Sequence, residues 1–93
     1  MNISISELLK LNNISIIDIR SAENYNSNHI PNSRNIPYDL LINNPSKYLS
    51  KDQMYYIYCQ KGIKSVRMCN LLNSLGYRTI NIIGGYESWI LEK

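Results

Sequence analysis

The hydrophobic positions of this chain fall into short runs separated by polar stretches, and these runs predict β-strands. Residues 15–19 are rich in isoleucine, and residues 54–58 form a tyrosine-rich run that stops at Cys59. Short runs of β-branched and aromatic residues bounded by turn signals are typical of buried strands. In chain order the predicted strands are 2–5 at an edge of the sheet, 15–19, 34–36, 54–58 at its centre, and 78–83.

A longer apolar period predicts one clear helix, over residues 65–75. Its apolar positions, among them Val66, Cys69 and Leu72, are mostly spaced to bury one face, and Gly76 follows as a stop signal. Shorter helices are predicted at 6–11, with Ser4 or Ser6 as the cap, and at 21–26, 38–42, 45–49 and 86–91.

Strands that alternate with helices predict an α/β fold with a parallel sheet. A length of 93 residues predicts one domain, spanning residues 1–93. Ligands of parallel sheets bind at the carboxyl ends of the strands, and Cys59 directly follows the predicted central strand. This end of the sheet is therefore where we expect the functional site.

Composition and charge exclude several functions. The net charge is +3, and the basic residues form neither a run nor a helical stripe, so nucleic acid is not an expected partner. No apolar run reaches the ~20 residues that span a bilayer, and residues 1–10 lack the pattern of a signal peptide. We therefore expect a cytoplasmic protein with no membrane partner.

The two cysteines and the single histidine do not have the spacing of metal ligands. Cys59 and Cys69 lie ten positions apart with no histidine nearby, so we expect no metal. We expect no other cofactor, and two cysteines in a chain without an export signal are expected to be thiols and not a disulfide. Cys69 falls on the apolar face of the helix at 65–75, which predicts core packing and not a resolving thiol. His29 stands two residues before Pro31 in a turn signal. A structural hydrogen bond is its expected role, and a general base is the alternative.

The segment that follows Cys59 carries the candidate chemistry. A strand ends at the thiol, residues 60–64 curl, and a helix is predicted to begin at Ser65. A curled loop that leads into a helix N-terminus directs backbone N–H groups inward, and Gly62 permits the curl. Such a site favours the thiolate, which is the nucleophilic form of cysteine. Cys59 is therefore the predicted nucleophile, and a small buried core residue is the alternative.

Together with motifs elsewhere, these residues resemble the rhodanese-like domain family over nearly the whole chain. The matching motifs, in order, are Ile17-Asp18-Ile19-Arg20, then Glu23 and Tyr25, His29-Ile30-Pro31, Asn35-Ile36-Pro37, Tyr58-Cys59 with Gly62, Gly76-Tyr77, and Gly84-Gly85 with Trp89. Each motif is weak by itself, and their common order makes the resemblance specific. The resemblance implies a central parallel sheet of about five short strands, flanked by helices on both faces.

The resemblance also implies a reaction. In this family a cysteine takes a sulfane sulfur from a donor such as thiosulfate, holds it as a persulfide and passes it to a thiophilic acceptor. That role falls on Cys59, and the N–H groups that hold the persulfide fall on the loop of Gln60, Lys61, Gly62, Ile63 and Lys64. The two lysines favour an anionic donor, thiosulfate in particular. The expected acceptors are cyanide, a thiol, thioredoxin or another sulfur-accepting protein.

Two supporting residues and three departures complete the resemblance. Asp18 and Arg20 are expected to pair and to hold loops together. Asn28 and Asn32 stand where the family has glycine, and asparagine tolerates left-handed backbone better than most residues. Lys64 stands where arginine is common, so the charge is kept and the bidentate fork is lost.

Two other functions remain open at this point. A related cysteine loop serves dual-specificity phosphatases and arsenate reductases, but those enzymes need a longer loop with arginine six positions after the cysteine. Here that position is Ser65. The second alternative is a non-catalytic module, or a slow sulfur carrier, that binds a partner.

Overall fold

The structure is a computed structural model that describes residues 1–93, and it contains one parallel sheet. The strands are β1 (Asn2–Ile3), β2 (Ser15–Asp18), β3 (Ser33–Asn35), β4 (Met54–Tyr58) and β5 (Arg78–Ile82). They lie in the order β1-β5-β4-β2-β3, and every neighbouring pair is parallel. The predicted α/β class, the central position of β4 and the edge position of β1 are confirmed.

Six helices cover the sheet. They are α1 (Ile5–Leu8), α2 (Ala22–Ser27), α3 (Tyr38–Asn43), α4 (Pro45–Tyr48), α5 (Ile63–Ser74) and α6 (Gly85–Glu92). Side chains of α3 and α5 pack in one hydrophobic cluster with β2 and β4, and side chains of α1 and α6 pack in a second. The sheet is thus covered on both faces, as the resemblance implies. None of the helices is long and apolar enough to cross a membrane.

Two predicted helix boundaries need correction. Helix α5 begins at Ile63, not at Ser65, because Gly62 adopts a left-handed conformation (φ 95°) that starts the first turn earlier. Helix α1 ends at Leu8 and does not reach residue 11; it begins after Ser4, whose side chain forms a capping box with Glu7. The other predicted boundaries lie within two residues of the observed ones.

Parallel strands bring three chain segments to the same edge of the sheet. β2 ends at Asp18, β4 ends at Tyr58 and β5 ends at Ile82. The residues that follow these strands, including Arg20 and Cys59, therefore meet at the carboxyl edge.

Helix α5 packs against one face of the sheet. Two adjacent leucines of this helix, one buried and one exposed, allow its packing to be tested by mutation. Leu72 is 0% exposed in the core cluster, whereas Leu71 is 36% exposed. We expect Leu72→Ala to lower the free energy of unfolding by about 2–5 kcal/mol, since it removes buried methyl groups and leaves a cavity. Leu71→Ala should lower it by less than about 1 kcal/mol. Equal losses in chemical denaturation would contradict this packing.

Candidate active site

The sulfur of Cys59 accepts backbone hydrogen bonds where β4 leads into α5. The residue is buried, with 5% of its surface exposed. The N–H of Gly62 lies 3.1 Å from Sγ, and the N–H of Ser65 lies 3.3 Å from it. Ser65 is in the first turn of a helix of 12 residues, where backbone N–H groups lack helical partners and the helix dipole is positive. The arrangement favours negative charge on the sulfur.

The curl of this loop depends on Gly62. Its φ of 95° is accessible to glycine without strain, and a Cβ at this position would lie 2.9 Å from the backbone nitrogen of Gly84. The loop and the segment before α6 therefore approach each other backbone to backbone.

Helix α6 holds the outer side of the loop. The N–H of Tyr86 donates to the carbonyl of Cys59 (2.9 Å), and the N–H of Glu87 donates to the carbonyl of Gln60 (3.1 Å). A Cβ on Gly85 would lie 2.2 Å from the carbonyl oxygen of Cys59, so only glycine fits there. These two hydrogen bonds anchor the segment that leads from Cys59 to Gly62.

Asp18 and Arg20 form a buried ion pair beside the loop. Nη2 of Arg20 lies 2.8 Å from Oδ2 of Asp18, and Nε lies 3.0 Å from the same oxygen. Burial by itself would lower the pKa of Arg20, but the hydrogen bonds and the charge of Asp18 outweigh burial and raise that pKa. The guanidinium is therefore permanently charged, and the predicted pairing is confirmed.

Arg20 also connects the loop to its surroundings. Its Nη2 donates to the carbonyl of Asn28 (2.7 Å) and its Nη1 to Oε1 of Gln60 (3.3 Å). Its guanidinium lies 4.1 Å from the centre of the Tyr86 ring, a cation–π contact with α6. One side chain thus contacts the turn after α2, the loop after Cys59 and the start of α6.

A cavity of about 650 Å³ opens over Cys59. Lys61, Lys64 and Arg67 line it, and none of the three forms a salt bridge. Asp39 is the only acidic residue of the lining. The remaining lining residues are Ile19, Arg20, Ser21, Asn24, Pro37, Tyr38, Gln60 and Ile63. A cavity that contains a buried sulfur and three cations without salt bridges suits a small anion that reacts with a thiolate.

Comparison with known proteins agrees with this geometry. Residues 4–92 match the family model of the rhodanese-like domain. The chain belongs to the rhodanese-like domain family. A rhodanese-related protein from Thermoplasma volcanium has the same fold, with a TM-score of 0.89 and 29% identity over 98% of this chain and 91% of that one.

Two curated relatives carry sulfurtransferase names. Thiosulfate sulfurtransferase GlpE of Coxiella burnetii is 31% identical over 84 residues, which cover 89% of this chain and 78% of that protein. Adenylyltransferase and sulfurtransferase uba4 of Ogataea parapolymorpha is 35% identical over 75 residues. Those residues are 80% of this chain and 19% of uba4, so this rhodanese-like chain spans about a fifth of that relative.

The predicted loop residues of this rhodanese-like domain differ in what they contact. Gly62 donates to the sulfur, and the side chains of Lys61, Ile63 and Lys64 line the cavity. The Gln60 side chain turns toward Arg20 and Glu87. The second backbone donor belongs to Ser65, which sequence reasoning treated only as the start of the helix. With the helix start at Ile63, Ser65 falls in the first turn, where its backbone N–H has no helical partner and would have been recognised as a donor.

The other two candidate side chains have structural positions. Cys69 is buried in the core, where burial raises the pKa of its thiol, so it stays neutral and is poorly suited to act as a resolving thiol. His29 stacks on the ring of Tyr25 at 3.8 Å, and its Nδ1 is hydrogen-bonded to the Tyr25 carbonyl. The predicted core packing of Cys69 and the predicted structural hydrogen bond of His29 are confirmed.

The two asparagines at the family's glycine positions behave differently. Asn32 adopts the left-handed conformation (φ 69°), as its tolerance of that region allows. Asn28 is extended (φ −171°), a conformation that any residue adopts. Its carbonyl accepts from Arg20, so the turn is fixed by a hydrogen bond and not by left-handed backbone.

The contact between Gly85 and the Cys59 carbonyl can be tested with a matched glycine. Gly85 and Gly76 both have positive φ, but a Cβ on Gly76 would meet only the flexible side chain of Lys51, at 3.5 Å. Gly76→Ala should therefore cost about 1 kcal/mol of stability through backbone strain. Gly85→Ala should cost at least ~2 kcal/mol more and slow the alkylation of Cys59 by iodoacetamide. Similar stability and similar alkylation in the two variants would rule out the backbone contact as the reason for glycine.

Proposed function

We propose that this rhodanese-like domain is a thiosulfate sulfurtransferase that carries the transferred sulfur as a persulfide on Cys59. The observation that carries the proposal is the position of Sγ of Cys59. It accepts hydrogen bonds from the backbone N–H groups of Gly62 and Ser65, and it lies in the lining of a cavity that is rich in basic residues. A thiolate in that position is ready to attack, and an anionic donor is attracted to it.

The reaction that we propose has two displacement steps. In the first, the Cys59 thiolate attacks the outer sulfur of thiosulfate; the sulfur–sulfur bond of thiosulfate breaks, and sulfite leaves with the electron pair. In the second, cyanide or an acceptor thiolate attacks the outer sulfur of the persulfide. The bond to Sγ breaks, and Sγ leaves with the electron pair as a thiolate.

The loop assists both steps in the same way. Negative charge resides on Sγ before the first displacement and returns to it in the second. The two backbone N–H groups stabilise that charge without changing their geometry, since the loop is held by α6 and by Arg20. Lys61, Lys64 and Arg67 attract the dianionic donor, and as exposed side chains they act by long-range attraction more than by fixed contacts.

The relatives support the choice of reaction. The name of GlpE gives thiosulfate sulfurtransferase activity to a protein that this chain covers over most of its length. Uba4 also carries the name sulfurtransferase, and because the match is confined to a fifth of that protein, its adenylyltransferase name does not extend to this chain. We place the reaction in the cytoplasm, a reducing compartment that keeps both free thiols reduced.

The two cysteines provide the direct test of the nucleophile. After incubation with thiosulfate, the wild type should gain the mass of one sulfur atom, and cyanide should remove it. Cys59→Ser should abolish both the mass gain and thiosulfate:cyanide turnover, because a serine hydroxyl is not ionised at neutral pH. Cys69→Ser is the matched control, and it should retain activity with some loss of stability. Persulfide formation in Cys59→Ser would refute the proposal.

The unpaired cations of the cavity provide a second test. Lys61→Ala and Lys64→Ala should each raise the apparent KM for thiosulfate by roughly two- to tenfold, and added salt should lower the wild-type rate by screening. Lys47→Ala removes one charge from an exposed position on α4, outside the cavity, and should leave KM nearly unchanged. An unchanged KM in both loop variants, together with a salt-independent rate, would exclude charge guidance of the donor.

A further inference from the structure

A chain of polar side chains leads from the catalytic sulfur to the edge of the sheet. Sγ of Cys59 lies 3.4 Å from Oγ of Ser65, and that hydroxyl lies 2.5 Å from Oδ1 of Asn81. Nδ2 of Asn81 donates to Oδ1 of Asn2 at 3.1 Å. Ser65 is 0% exposed and Asn81 is 4% exposed. The hydroxyl therefore has two competing partners in a site with little access to water.

The Ser65 hydroxyl carries one proton, and the geometry assigns it to Asn81. An amide oxygen is an acceptor only, so the short contact to Oδ1 requires the serine to donate. The serine oxygen then presents a lone pair to Sγ and accepts from the thiol. To donate to a thiolate, it would have to leave a buried amide oxygen without its partner, which is unfavourable.

The edge strand fixes the orientation of the Asn81 amide. Strands β1 and β5 pair in a register that sets Asn2 beside Asn81. Because Oδ1 of Asn2 accepts from Nδ2 of Asn81, the Asn81 oxygen faces α5 and Ser65. A flipped amide would bring two donors against Ser65 and would release the serine proton toward the sulfur.

We propose that Asn81 is a positioning residue that keeps the Ser65 proton away from the Cys59 sulfur. The thiolate then receives only the two backbone N–H groups of the loop. Added hydrogen bonds stabilise a thiolate but lower its intrinsic nucleophilicity, so Asn81 preserves the reactivity of the anion. The inference rests on the proposed role of Cys59 as the nucleophile.

The charged and titratable groups around the sulfur stay the same in the test. At the end of β2 and on α3 and α6 they are Asp18, Arg20, Tyr38, Asp39, Tyr86 and Glu87. On β4, the loop and α5 they are Tyr58, Lys61, Lys64, Arg67 and Cys69. Their effects cancel when variants that change only uncharged side chains are compared with the wild type.

The test is the pH dependence of iodoacetamide alkylation at Cys59, followed on the Cys59 peptide by mass spectrometry. Asn81→Leu keeps a similar volume but removes the acceptor, so Ser65 should turn and donate to the thiolate. The alkylation midpoint should fall by about half a pH unit to one unit. The rate at high pH should fall by about two- to threefold, because the stabilised anion is a weaker nucleophile. An unchanged midpoint in folded Asn81→Leu would overturn the proposal.

Ser65→Ala and the double variant separate this role from a merely structural one. In the Ser65→Ala background, Asn81→Leu should cause no further shift, because the hydroxyl through which it acts is absent. Asn73→Leu is the control, since Asn73 bonds Thr79 at the same α5–β5 contact and should leave the midpoint unchanged. Equal shifts by Asn81→Leu in both backgrounds would refute the proposal.

If Asn81→Leu does not fold, Ser65→Ala alone shows whether the Ser65 hydroxyl donates to the Cys59 sulfur in the wild type. It removes an acceptor for the thiol proton, so the midpoint should stay the same or fall. A rise would mean that the hydroxyl donates to the sulfur in the wild type, and it would overturn the proposal. Alkylation requires no sulfur transfer, so these results are independent of whether Cys59 forms a persulfide.

Discussion

The buried charge of Arg20 is the constraint on which the arrangement of the site depends. Removing an ion pair from water costs several kcal/mol per ion, and the attraction between the partners offsets this only when the remaining donors are also bonded. The carboxylate of Asp18 accepts hydrogen bonds from Nε of Arg20 and from one N–H of its Nη2. The other N–H groups have to find acceptors nearby, and those acceptors belong to segments that would otherwise be separate loops.

This requirement explains how the loop after Cys59 is held in place. The carbonyl of Asn28 and the side chain of Gln60 serve as the additional acceptors, and the Tyr86 ring covers the guanidinium. These contacts join the end of β2, the turn after α2, the loop after Cys59 and α6. Backbone N–H groups of helix α6 in turn donate to the carbonyls of Cys59 and Gln60, which anchors the segment before the two donors to Sγ. The proposed sulfur transfer, in which fixed backbone dipoles stabilise the charge on Sγ, needs this kind of preorganisation.

The sequence was informative where the relevant interactions are local. A strand, a cysteine and a glycine before a helix predicted Cys59 and Gly62, and the motif that resembles the family led us to expect the Asp18–Arg20 pair. The contact of Arg20 with Gln60 spans 40 positions, and no local pattern indicates it. The Ser65 amide was missed because a left-handed glycine starts the helix two residues early, and apolar periodicity does not record that conformation.

Asn81 was unpredictable for a different reason, which lies in the architecture. In a sheet with one wet face, a polar residue that alternates with isoleucines is expected to face solvent. Here helices cover both faces, and Thr79 and Asn81 both turn inward against α5. The hydrogen bonds of Thr79 end on α5, at Asn73 and the Cys69 carbonyl. Those of Asn81, two residues nearer the carboxyl edge, continue through Ser65 to the sulfur. These two buried polar side chains therefore have different connections, because only Asn81 lies at the edge where the parallel strands end and where the proposed nucleophile, Cys59, is held.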